Sequence, residues 1–185
     1  MNSKIFILIV LIAILLVFIF AIIFFNEAIM RTSRDNPMRI IVSVFNPPKD
    51  LFNYLVREKI DLAKAGNRYI YEFSNKYKGK YIVGMLLDNF SKDLYFSQTK
   101  EIPEAIMEVR FFNSGDLIFS KIIDGKYGAF LGKDGSGYIL FTYLCPEELP
   151  IDETMTCKVN IIKGDSAFLK KYGPAQFFIK KTSDK

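Results

Sequence analysis

The longest apolar run in the chain comes at its start. After MNSK, Ile5 to Phe25 adds 21 residues without a charge. A helix of that length reaches about 30 Å, the hydrocarbon thickness of a bilayer. Cleavable signal peptides have an apolar core of about 7–15 residues followed by a small-residue cleavage site. This run is longer, its flank FFNEAIMR has no A-x-A-like site, and no nearby cysteine could take a lipid anchor. The reading is a retained signal anchor over residues 1–25, with a cleaved signal peptide as the alternative.

Beyond the run the pattern shortens and begins to alternate. Residues 26–37 read as a polar tether ending in NP, and 38–185 as one domain. MRIIVSVF, Met38 to Phe45, is β-branched enough to be a first strand. In DLFNYLVREKI, Leu51, Phe52, Leu55 and Val56 fit a helical stripe, but a loop running into a strand serves equally. RYIYEFS then alternates Tyr69, Tyr71 and Phe73 with Arg68, Ile70 and Glu72, and a turn at Lys78-Gly79 leads to a strand from Tyr81 to Leu87.

AIMEVRFFNSGDLIFSKIID carries the strongest hairpin signal, because NSGD (Asn113 to Asp116) accepts left-handed backbone angles between two β-rich runs. GYILFTYLC and MTCKVNII read as strands. Asp165 can cap a short helix, SAFLKKY, which Gly173 and Pro174 end before a last strand, Ala175 to Lys181. Asn89–Pro103 and the glycine-rich Gly125–Gly137 are read as long connecting loops. Short strands, regular turns and little helix predict an antiparallel β-sandwich behind one N-terminal transmembrane helix.

Charge narrows the partners. Of the 25 Lys and Arg only Lys4 precedes the end of the apolar run, and all 20 acids follow it, which leaves a mild basic excess. The basic residues are scattered among acids and tyrosines, so a nucleic-acid interface is not expected. Arg31, Arg34 and Arg39 after the run would hold the domain in the cytoplasm by the positive-inside rule, but long domains translocate largely regardless of charge.

The cysteines are the better witness to compartment. Cys145 and Cys157 are the only two, and PEELPIDET between them reads as turn chemistry. On antiparallel pairing of the flanking strands, the thiols meet near the facing ends of one hairpin and a disulfide is expected. Closing a loop of this size stabilises a fold by roughly 3 kcal/mol. Disulfides persist outside the cytosol, so the bond would place the domain there.

Candidate chemistry is sparse. The chain has no histidine, which removes the commonest general base and the usual partner of a nucleophilic cysteine. Two cysteines do not make a tetrahedral zinc set. GKDGSG is followed by a strand and lacks the G-x-x-x-x-G-K-[ST] spacing of a phosphate loop. Ser120 and Ser136 have no elbow motif, and Asn89-Phe90-Ser91 is a formal glycosylation sequon. Glu147, Glu148, Asp152 and Glu153 cluster between the cysteines. Calcium would take six to eight oxygens at definite offsets, so the cluster is read as an acidic rim able to meet a basic patch on a partner. No metal or cofactor is expected.

One resemblance follows from VREKIDLAKAGNRYIYEF, KGKYIVGMLLDN, EVRFFNSGDLIFSKII, SGYILFTYL and QFFIKK. Their order, from about Val56 to Lys181, resembles a group of uncharacterised Gram-negative periplasmic domains. That resemblance implies a small exported β-sandwich, usually a lipoprotein, with no assigned activity; here a transmembrane helix stands where the lipobox cysteine would be. The expectation is a non-enzymatic protein-binding domain, anchored in the bacterial inner membrane with its bulk in the periplasm. It would be an immunity protein against a periplasm-acting toxin; the alternatives are an accessory subunit of an envelope complex, or an envelope hydrolase using acids such as Glu148 and Asp152.

Overall fold

The structure, a computed structural model, describes residues 3–32, 36–90, 103–125, 128–132 and 135–182. The chain divides into two compact units, Met1–Leu51 and Phe52–Lys185. Residues 38–51, expected to open the β domain, thus belong to the N-terminal unit. Most of the connection Asn89–Pro103, including Ser91 of the sequon, lies outside the described residues, as does Arg34.

The N-terminal unit is helical. Helix α1 (Ser3–Phe24) contains a window, Ile7–Phe24, long and apolar enough to cross a membrane, and none of that window is buried. A short α2 (Asn26–Met30) and α3 (Pro37–Phe45) follow. The α3 segment corrects the strand expected over Met38–Phe45. The Asn36 side chain accepts a hydrogen bond from the Met38 N–H at 3.0 Å, and Pro37 occupies the first turn. Capping plus a proline pre-set to helical φ outweighs the β preference of Ile40, Ile41, Val42 and Val44.

The second unit is mainly β and fully antiparallel. One sheet has the order β1 (Tyr54–Ile60), β9 (Ala175–Lys181), β3 (Gly79–Leu87), β7 (Gly135–Cys145) and β6 (Gly128–Gly132). The other has β2 (Arg68–Ser74), β8 (Thr154–Lys163), β4 (Ile106–Asn113) and β5 (Asp116–Ile123). Thus DLFNYLVREKI resolves as a turn that runs into strand β1 from Tyr54, rather than as a helical stripe. The NSGD hairpin forms as expected, with Ser114 at φ 50° and Gly115 at φ 96° between the paired Asn113 and Asp116.

Between the sheets lies an aromatic-rich core. Phe111 meets Phe73 at 5.4 Å and Tyr143 at 5.6 Å between ring centroids, and Tyr143 stacks on Tyr81 at 5.3 Å. Such pairs add about 0.5–1.5 kcal/mol each beyond the burial of their area. Helix α4 (Ser166–Tyr172) links the two sheets between β8 and β9. Asp165 accepts from the Phe168 N–H at 2.9 Å, as the cap expected, and buried Phe168 and Tyr172 pack with Phe90 and Tyr138.

Two further expectations change. The loop Gly125–Gly137 contains β6, paired with β7 from Gly128↔Ile139 to Gly132↔Gly135. Its glycines hid the alternation, and Gly137 has a packing role: a Cβ there would land on the Met85 carbonyl oxygen. The expected disulfide is also absent. Strands β7 and β8 are in different sheets, so residues 146–153 cross between layers rather than turning a hairpin. Cys145 pairs with Gly79 at the end of β7, whereas Cys157 sits within β8 opposite Tyr71 and Phe111. Both are free, buried thiols.

Candidate partner-binding surface

The crossing loop is held by a small polar network. Asn75, at the end of β2, is fully buried. Its Nδ2 donates to the Pro150 carbonyl at 3.1 Å, its Oδ1 accepts from the Tyr143 hydroxyl at 2.9 Å, and its own carbonyl accepts from the Asp152 N–H at 2.8 Å. Buried Leu149 anchors the middle of the loop. A buried amide satisfied from three directions fixes a loop that has no ladder of its own.

The four acids are all exposed, but they differ in what they do. Glu148 Oε2 accepts from the Leu144 N–H at 2.6 Å while its own N–H returns to the Leu144 carbonyl at 2.9 Å. Glu153 accepts from Asn113 Nδ2, which ties the loop to the β4–β5 turn. Asp152 adopts a left-handed φ of 58°, a conformation Asp tolerates better than most residues. Glu147 is exposed beside them. The loop, the end of β2 and the β4–β5 turn with Asp116 therefore gather at one place as a fixed acidic rim.

The cysteines offer no chemistry there. Burial, with Glu147 and Glu148 nearby, pushes the Cys145 thiol up to about 12, and burial drives Cys157 up as well. The thiolate is the nucleophile and metal ligand, and at neutral pH both groups stay protonated. Among the described residues no group of three His, Cys, Asp or Glu could hold a metal ion.

Running away from this rim is β5. Among the described residues it pairs only with β4, so it is an edge strand eight residues long. Leu117, Ile118 and Ile122 are exposed along it, while Phe119 faces the core against Phe111 and Phe141. A bulge between Phe111 and Phe112 and Lys121, whose ammonium lies 5.4 Å from the Phe141 ring centre, interrupt the edge. Such features discourage indiscriminate strand pairing. The sequence reading placed the partner surface on the acidic rim and missed this edge. Its signal was available: DLIFSKII has apolar residues at positions of both parities, which one buried face cannot absorb.

Neither protein-family models nor curated proteins match this chain. A solved protein from Sulfurospirillum deleyianum is similar at 9% identity, covering 70% of this chain and 98% of that one, with a TM-score of 0.48. A likeness that slight carries no argument about function.

Proposed function

We propose that this chain is a non-enzymatic, membrane-anchored protein-binding domain held in the bacterial periplasm, acting as an immunity protein against a periplasm-acting toxin. The observation that carries the reading is the β5 edge, with exposed Leu117, Ile118 and Ile122 beside the acidic rim of Glu147, Glu148, Asp152 and Glu153. An edge of this kind suits a partner that adds a strand through main-chain hydrogen bonds and seats side chains on alternate positions. The acids suit basic residues flanking that strand. Anchoring by α1 confines the domain to a layer at the membrane and raises its effective concentration toward partners there.

The free thiols do not bear on compartment, so the periplasmic address rests on the N-terminal apolar helix and on the pattern-level resemblance to exported domains. A hydrolytic role at Glu148 is disfavoured because its carboxylate caps the Leu144 N–H. The test is capture from detergent-solubilised membranes with full-length wild type and with Ile122→Lys. A specific partner should be retained by the first and lost by the second at unchanged thermal midpoint; equal capture by both refutes the edge reading. Deletion should be harmless in monoculture and lethal beside a toxin-delivering neighbour. A defect in monoculture, with an envelope complex misassembled, points instead to an accessory subunit.

A further inference from the structure

Helix α3 carries apolar side chains that the protein leaves uncovered. Ile40 is 70%, Val44 58% and Phe45 78% exposed. Ile40 and Val44 are spaced i, i+4, as are Ile41 and Phe45, so these residues form one broad apolar arc, while Arg39 and Ser43 lie on the other side of the helix. The end of α3 is pinned to α1. Asn46 Nδ2 donates to the Ile22 carbonyl at 3.1 Å, and Asn26 Nδ2 donates to the Asn46 carbonyl at 3.3 Å. The first of these bonds satisfies a carbonyl in the last turn of α1, where carbonyls lack partners within their own helix; the second ties Asn46 to the start of α2.

The pinning sets a depth. Ile22 lies three residues before the end of the apolar run at Phe25, and Phe45 is adjacent to the residue that holds it. Between the two helices runs a cleft of about 440 Å³, with Leu15, Phe18, Ile19 and Ile22 on one wall and Ile41 and Phe45 on the other. Its lining is continuous with the exposed apolar surface of α1.

We infer that α3 is an interfacial helix, lying in the boundary of the bilayer with its apolar arc among phospholipid acyl chains and the cleft filled by one of them. The inference rests on the reading that α1 spans the membrane. The occupant follows from continuity: whatever surrounds Ile19 and Ile22 of α1 also meets Phe45, because Asn46 holds the two surfaces together. Arg31 before α3 and Lys49 after it, both exposed, add the positive charge that favours anionic headgroups.

The chain contains no tryptophan, so one introduced indole reports without background. Full-length Phe45→Trp, Val44→Trp and Leu16→Trp would be reconstituted separately into phosphatidylcholine–phosphatidylglycerol vesicles containing brominated acyl chains. Leu16 is exposed near the middle of α1. The expected result is blue-shifted emission from all three. Tryptophan at 45 or 44 should lose at least half its emission to bromines near the headgroup, and tryptophan at 16 to bromines near the chain ends. If only the Leu16 reporter is quenched, the anchor stands and the inference fails. Protection of the 45 and 44 reporters from both bromolipid and aqueous acrylamide, which would mean a protein covers the arc, also overturns it. If no position is quenched by bromolipid, the anchoring reading itself falls.

Discussion

Replacing Asn75 with alanine removes the residue that ties the crossing loop to the sandwich, and the cost can be worked from its partners. The Tyr143 hydroxyl, buried in the core, loses its acceptor, and the half-buried Pro150 carbonyl loses its donor. Leaving a buried polar group unsatisfied costs about 1–3 kcal/mol. The hydroxyl stands toward the upper end and the carbonyl, which water can reach, toward the lower, giving about 3 kcal/mol in all. With a urea slope of about 1–3 kcal/mol per molar, the unfolding midpoint should fall by roughly 1–3 M.

The assay is urea unfolding of the full chain in mild detergent, followed by tyrosine near-ultraviolet dichroism so that the micelle-protected α1 does not contribute. Tyr143→Phe supplies the internal check. In that background no hydroxyl is left stranded, so Asn75→Ala should cost about 2 kcal/mol less than in the wild type. An Asn75→Ala midpoint indistinguishable from wild type refutes the network, and equal cost in both backgrounds refutes the Tyr143 share of it.

Three other outcomes follow from the buried thiols and the close sheet packing. At neutral pH maleimide should add nothing to the native domain, and after denaturation without reductant it should label both Cys145 and Cys157; a missing adduct in the denatured, unreduced protein would mean they are bonded. Both thiols have pKa values raised above the ordinary 9.0, Cys145 to about 12. Below pH 9 they are protonated folded or unfolded; above it the unfolded chain releases protons that the fold retains, so stability declines as pH rises from about 9 toward 12. A urea midpoint that stays flat or rises over that interval contradicts this. Gly137→Ala should destabilise by about 1–3 kcal/mol or more, because the new methyl meets the β3 backbone at Met85 rather than a movable side chain; thermal melts of the variant test it.

Features set by neighbouring residues were legible in the sequence. NSGD specified the β4–β5 turn through its own backbone preferences, and Asp165, Gly173 and Pro174 bounded α4. Where two local signals competed, as in Asn36-Pro37 against the branched run Ile40–Val42, composition misled and the cap won. Features set by distant pairing were not legible. Nothing within 137–162 says that β7 joins β3 while β8 lies between β2 and β4, yet that assignment turns the expected cysteine hairpin into a crossing and puts the two buried thiols in different sheets. The acids were correctly read as exposed. What their order could not reveal is that Glu148 and Glu153 also hold the loop, through Leu144 and Asn113, or that the apolar edge beside them belongs to β5.

The position of β9 has a consequence for how the molecule is made. The C-terminal strand of the fold lies inside its sheet, between β1 and β3, and Arg57 Nε reaches across 119 positions of sequence to Gln176 Oε1 at 2.8 Å. Until Ala175–Lys181 has left the ribosome, β1 and β3 have an open slot between them, and the five-stranded layer cannot close. The layer therefore closes only once residues 175–181 are available to it, and such distant pairing is slow.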